Sequence, residues 1–186
     1  MTESKPRTVL FVCTGNYYRS RLAELLFNHY ASTETFDWRA DSRGLLEQTS
    51  YQGLSPSAVR YLEERELGEL LQNPRKPSPI RLDDLEKADL SIGLSRVEHE
   101  SMFLTRFGQI PRHMEKQGKL RYWNVDDLPR PGSRIASLFK TLFNGKEAPP
   151  TQREESGTEH IDFAVQALVR ELAQKENTKT TTETSE

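Results

Sequence analysis

One cysteine, Cys13, in a chain of 186 residues leaves no partner for an internal disulfide. The fold must then rest on a buried core rather than on cross-links, and a lone thiol is easiest to keep reduced in the cytoplasm. Long apolar runs are also missing. Residues 1–7 read as a flexible N-terminus, and the run that follows, Val9-Leu10-Phe11-Val12, is far too short for a signal core or a membrane span. No targeting segment and no membrane partner are expected. There is no basic surplus either: 26 Lys and Arg face 28 Asp and Glu, a net charge of −2, which argues against nucleic acid as a partner. His29, His99, His113 and His160 are scattered without ligand spacing and read as surface or capping residues, so no metal and no cofactor are expected. No internal repeat is present. With 34% hydrophobic residues, this length accommodates one domain with a substantial core rather than two.

What is present is concentrated near the start. The apolar run ends at Cys13 and opens Cys13-Thr14-Gly15-Asn16-Tyr17-Tyr18-Arg19-Ser20, just before Leu22, Leu25, Leu26 and Tyr30 recur on one helical stripe. A loop curled between a strand end and a helix start can turn successive backbone N–H groups inward, making an anion nest beside the positive end of the helix. Gly15 and Asn16 are residue types that tolerate the positive φ such a curl requires. A thiol facing that nest and the Arg19 guanidinium favours its thiolate form, the nucleophilic one. Arg19 can bind two phosphoryl oxygens through its planar fork, and Ser20 offers a hydroxyl within reach of the sulfur. The pattern is that of a phosphate-cradling loop carrying a thiolate nucleophile.

The rest of the chain alternates strand and helix signals. Phe36, Trp38 and Ala40 suggest a second strand nearer an edge. Ser55-Pro56 reads as an N-cap with proline in the first helical turn, and Gly68 as the stop. Residues 73–79, with three prolines, read as a surface loop. Asp83 suits the cap of a short helix. Leu90, Ile92 and Leu94 form a further strand, and Ser95-Arg96-Val97-Glu98 has the capping-box pattern for a helix reaching about Phe107. Leu120 to Val125 gives a fourth strand. Residues 129–159 read as a polar insertion, within which Ile135 to Phe143 forms a short helix. Ile161, Ala164, Val165, Leu168, Val169 and Leu172 mark a last helix, which closes a domain over 8–174, and 175–186 read as a disordered tail. The expected fold is an α/β three-layer sandwich with a central four-stranded, doubly wound parallel sheet and the phosphate loop at the end of strand 1. Parallel topology then puts Asp126 and Asp127, after strand 4, on the same sheet edge as Cys13.

On these residues the chain resembles the low-molecular-weight protein tyrosine phosphatases. The likeness runs through Val9 to Asn16, Arg19-Ser20, Ala23-Glu24 and Trp38-Arg39-Ala40-Asp41-Ser42, and more weakly through Leu82 to Leu85, Ala88 to Leu90 and the acidic pair. The resemblance implies a cysteinyl-phosphate intermediate formed on Cys13 and stabilised by Arg19 and the loop amides of Thr14, Gly15, Asn16, Tyr17 and Tyr18. It implies an aspartate general acid as well, which falls on Asp127 in preference to Asp126. It gives Ser20 the role of stabilising the thiolate, and Asn16 and Ser42 the role of holding the loop. Tyr18 stands where many members carry a second cysteine, and Leu128 where the acid loop has proline. Tyr17 and Tyr18 either rim the pocket or pack on neighbouring chain.

The implied activity is hydrolysis of phosphotyrosine by a monomeric enzyme acting on a phosphotyrosine-containing protein or a small aryl phosphate. Two alternatives share the loop. An arsenate reductase recycled by an external small thiol needs only Cys13, whereas a thioredoxin-coupled one needs cysteines that this chain lacks. A non-catalytic phosphate or phosphopeptide binder needs the nest but no nucleophile.

Overall fold

The computed structural model describes residues 6–34, 37–72, 75–125 and 152–183. Alternation along the first strand decides how the layers form. In β1 (Arg7–Cys13), Val9, Phe11 and Cys13 face one side of the sheet while Leu10 and Val12 face the other, and all five are buried. A strand apolar on both faces has to be covered on both. Parallel partners supply its edges. β2 (Trp38–Gly44) pairs with β1 in the register Phe11 to Ser42 and Cys13 to Gly44, and β3 (Leu90–Gly93) pairs on the other side. β4 (Leu120–Tyr122) adds to β3, giving the order β2-β1-β3-β4, all parallel. The expected four-stranded doubly wound sheet is the one observed.

One face is covered by α1 (Arg19–Ala31), α2 (Pro56–Glu64) and α6 (Gln152–Glu183), which bring Leu22, Leu26, Phe27, Leu62, Ile161, Val165 and Val169 onto Val9 and Phe11. The other is covered by α3 (Leu82–Lys87), α4 (Arg96–Phe107) and α5 (Ile110–Lys116), through Leu85, Phe103 and Met114. Among the described residues no helix is long and apolar enough to cross a membrane.

Several local expectations change. α2 starts as expected, with Ser55 Oγ accepting the Ala58 N–H and Pro56 in the first turn, but it ends at Glu64. Glu66 takes the left-handed turn (φ 59°), and Gly68 begins a 3-10 turn, Gly68–Leu71, instead of stopping the helix. The acidic cap of α3 is Asp84, whose carboxylate accepts the Arg81 N–H at 2.7 Å, rather than Asp83. α5 had no clear periodic signal in its seven residues. α6 begins inside the segment read as an insertion and continues past Gln174 to Glu183, where a disordered tail was expected. A polar stretch gains a reason to stay helical there: the Glu176 carboxylate pairs with Arg7 of β1 and accepts from Trp38 Nε1 of β2 at 2.9 Å. Phe36 and the helix expected over Ile135 to Phe143 lie outside the described residues.

α6 is fastened to α1 and α2 by a buried carboxylate. Asp162 accepts from the hydroxyls of Tyr30 (2.7 Å) and Tyr61 (2.6 Å) and from Gln166 Nε2 (2.9 Å). Burial pushes its pKa up, but these hydrogen bonds and the Arg65 charge outweigh burial and hold it below the usual carboxylate value. The same site pushes Tyr30 up to about 12, through burial first and the Asp162 bond second. Asp162→Asn turns one accepting oxygen into a donor facing donors. The expected cost is about 2–3 kcal/mol, read as a melting temperature lower by about 5–10 °C; an unchanged melt would mean that this cluster does not anchor α6.

Candidate active site

The site grows from the end of β1. The carbonyls of Cys13, Thr14 and Tyr17 are drawn outward to the N–H groups of Leu45 (2.9 Å), Leu46 (3.0 Å) and Ser55 (3.0 Å). No peptide bond among the described residues is cis, so each outward carbonyl sends the next N–H the opposite way. The amides of Thr14, Gly15 and Tyr18 therefore point to the other side of the loop, as an anion nest requires. Asn16 makes the curl, with φ 50°, while Gly15 does not share its positive φ. What Gly15 provides is room: a Cβ there would lie 3.2 Å from the Tyr51 ring.

Cys13 is buried, and its Sγ stands 3.0 Å from Ser20 Oγ. Ser20 Oγ also accepts from Asn16 Nδ2 at 3.0 Å, and because a thiolate can only accept, the Ser20 proton is the one that would bind the deprotonated sulfur. The other Asn16 Nδ2 hydrogen goes to Ser42 Oγ (2.8 Å), and Asn16 Oδ1 accepts from Arg75 Nη1 (3.0 Å) and the Ser78 N–H (2.9 Å). Ser42 Oγ donates to Glu24 Oε2, which Arg75 Nη2 also reaches at 2.8 Å. A continuous polar chain thus runs from the thiol to a Glu24–Arg75 ion pair. Tyr17 stacks on Tyr51 with ring centroids 4.4 Å apart and planes 8° off parallel. Tyr18 turns into the core instead, so only its backbone is left for the loop's inner side.

Arg19 is 1% exposed. Its Nη1 and Nη2 meet the two Glu98 oxygens at 3.0 and 2.7 Å, and Nη1 also donates to the Val125 carbonyl at 3.1 Å. Asp126 and Asp127 lie outside the described residues, and the chain that leads to them reaches Arg19 at Val125. The expected capping box is not what forms at α4. The Ser95 N–H donates to His99 Nδ1 (3.0 Å), and Glu98 turns to Arg19. His99 Nε2 lies 3.3 Å from Thr14 Oγ1. Burial pushes the His99 pKa down, the Arg19 charge adds to this, and Glu98 opposes them only in part, so it falls to about 4 and the ring is neutral at physiological pH.

These features lie where the β1 and β3 connections diverge to opposite faces, the crevice in which open α/β sheets bind ligands. A family model described as low molecular weight phosphotyrosine protein phosphatase matches residues 8–129. The chain belongs to that family. It is the family that the loop residues resemble. A Bacillus subtilis (strain 168) protein named protein-arginine-phosphatase is 30% identical over 101 residues, which span 54% of this chain and 63% of that protein's length. An arsenate reductase of Shouchella clausii (strain KSM-K16) is 29% identical over 121 residues, 65% of this chain and 73% of that protein. The solved low molecular weight protein tyrosine phosphatase of T. tengcongensis superposes with a TM-score of 0.61 at 21% identity, covering 89% of this chain and 99% of that one, a likeness of fold.

Within this family fold, the structure adds Tyr51, Arg75, Glu98 and His99 to the neighbourhood that the loop residues marked. Arg75 and Tyr51 come from segments without periodicity. Glu98 and His99 sit in a pattern that reads equally well as helix capping, and one of the two does cap. Gly44 is a further constraint, because a Cβ there would lie 3.0 Å from Asn16 N and Gly15 C, in the backbone of the loop. Gly44→Ala is expected to shift the loop and lower kcat/KM by about 10-fold or more with a small change in melting temperature. Gly68→Ala, where a Cβ meets nothing within 4 Å, serves as the neutral control. Equal activity in the two variants would show that the loop tolerates displacement.

Proposed function

We propose that the chain is a phosphotyrosine phosphatase in which Cys13 attacks the phosphorus, Arg19 and the loop amides hold the transferring oxygens, and Asp127 serves as general acid. The observation that carries the reading is the hydrogen-bonded thiol: Cys13 Sγ lies 3.0 Å from a Ser20 hydroxyl that also accepts from Asn16, in a loop whose carbonyls at Cys13, Thr14 and Tyr17 are turned outward. A binding module needs no such arrangement. As the S–P bond forms, the P–O bond to the leaving group breaks, and the departing phenolate takes the Asp127 proton. The Asp127 carboxylate then accepts a proton from water as that water attacks the cysteinyl-phosphate, releasing phosphate and the thiolate. Thr14, Gly15, Asn16, Tyr17, Tyr18 and Ser20 form the loop in this scheme, and Ser42 supports it.

The choice of an aryl substrate is supported by the Tyr17–Tyr51 stack, which places a flat aromatic face beside Gly15 of the loop. The proposal extends to a cytoplasmic monomer acting without a cofactor. Its test compares kcat/KM on a phosphotyrosine peptide, a phosphoarginine peptide, and arsenate with an added small thiol. The phosphotyrosine peptide is expected to be the best substrate, Cys13→Ser to abolish turnover, and Tyr51→Ala to lower kcat/KM on it by about 3- to 10-fold. A preference for phosphoarginine or arsenate would overturn the substrate assignment, and unchanged turnover in Cys13→Ser would overturn the mechanism.

A further inference from the structure

His99 is a buried titratable group to which the scheme above gives no task. Its ring has no solvent exposure and lies between the phosphate loop and the start of α4. Its neighbours fix where the proton sits. The Ser95 amide can only donate, so Nδ1, which faces it at 3.0 Å, carries the lone pair. The hydrogen of the neutral ring is then on Nε2 and points at Thr14 Oγ1, 3.3 Å away. A second proton would break the Ser95 bond and set another cation beside Arg19, with only Glu98, 3.7 Å from Nε2, to offset it.

We propose that His99 is a positioning residue for the phosphate loop: its Nε2–H holds the Thr14 side chain, and with it the residue that follows Cys13, in the conformation that binds a phosphoryl group. The proposal rests on the phosphatase reading, because it takes the loop to bind an oxyanion. His99 joins two connections that leave the sheet in opposite directions, one after β1 and one after β3. With Oγ1 engaged as an acceptor, the Thr14 hydroxyl keeps its own proton for a different acceptor, a role that an anion in the loop can fill.

Titration of inorganic phosphate into the full chain tests this, with a thermal melt run on each variant. The Gln side chain reaches as far as Nε2, so His99→Gln can keep the donor toward Thr14. Asn reaches only as far as Nδ1, so His99→Asn can keep the Ser95 bond alone. The phosphate Kd is expected to rise about 3- to 10-fold in His99→Asn and in Thr14→Val, and to stay near the wild-type value in His99→Gln. Adding His99→Asn to Thr14→Val should cost little more. Thr14 is partly exposed, so its variant does not depend on refilling a buried ring site. An unchanged Kd in Thr14→Val, or the full additional loss in the double variant, overturns the proposal. A lower melting temperature with unchanged phosphate binding reduces His99 to a packing residue. Absence of phosphate binding in the wild type removes the phosphatase reading, and this proposal with it.

Discussion

Asn16 adopts a left-handed backbone at a position with no solvent exposure, and its side-chain amide uses both hydrogens and its oxygen in four hydrogen bonds. A buried amide with fewer partners would cost free energy, so the loop conformation and the bonding partners stabilise one another. The partners come from three separate places: Ser20 at the start of α1, Ser42 on β2, and Arg75 with Ser78 in the connection before α3. The sheet sets the separation of the first two. Phe11 pairs with Ser42 and Cys13 with Gly44, which brings β2 under the loop at the height of the thiol. The chemistry of the site is therefore tied to the parallel register of the sheet.

Charge at the site is arranged in two layers. Beneath the loop on the β2 side, Glu24 and Asp41 both pair with Arg75 around Ser42, while Glu24 also meets Arg21 and Asp41 also meets Arg43, so each carboxylate of this cluster faces two guanidinium groups. On the β3 side Glu98 pairs with Arg19, and His99, held neutral by burial, adds no charge of its own. The Arg19 fork is thus already set in direction by a carboxylate and by the Val125 carbonyl. Fixing a guanidinium before the substrate arrives removes part of the ordering cost of binding.

Much of this was legible in the residues. The strand run ending at Cys13 and the loop spacing to Arg19 marked the place of the loop at the end of β1, and alternating strand and helix signals marked the layer order. The legible part is local, because strand alternation and cap residues act within a few positions. The rest is contact at long range. Arg75 lies 59 residues from Asn16 and Glu98 lies 79 from Arg19, and neither separation leaves a periodic trace. Glu98 misleads in a specific way: at the third position after Ser95 it suits a capping box, yet His99 takes the cap and releases Glu98 to the guanidinium. Past Gln174 composition favours disorder, and contacts from Glu176 to β1 and β2 outweigh it. Asp126 and Asp127 lie outside the described residues, so the general-acid role proposed for Asp127 rests on the sequence alone.

A Cys13 nucleophile has to carry the phosphoryl group during each cycle, and rapid acid quenching during turnover traps it there. Wild-type protein mixed with a phosphotyrosine peptide, quenched within milliseconds and digested, is examined by mass spectrometry for the peptide containing Cys13. One phosphoryl group on the Cys13 sulfur, present during turnover and gone once substrate is exhausted, is the result expected. Turnover with no phosphorylated Cys13, or with the phosphoryl group on another residue, would contradict the account.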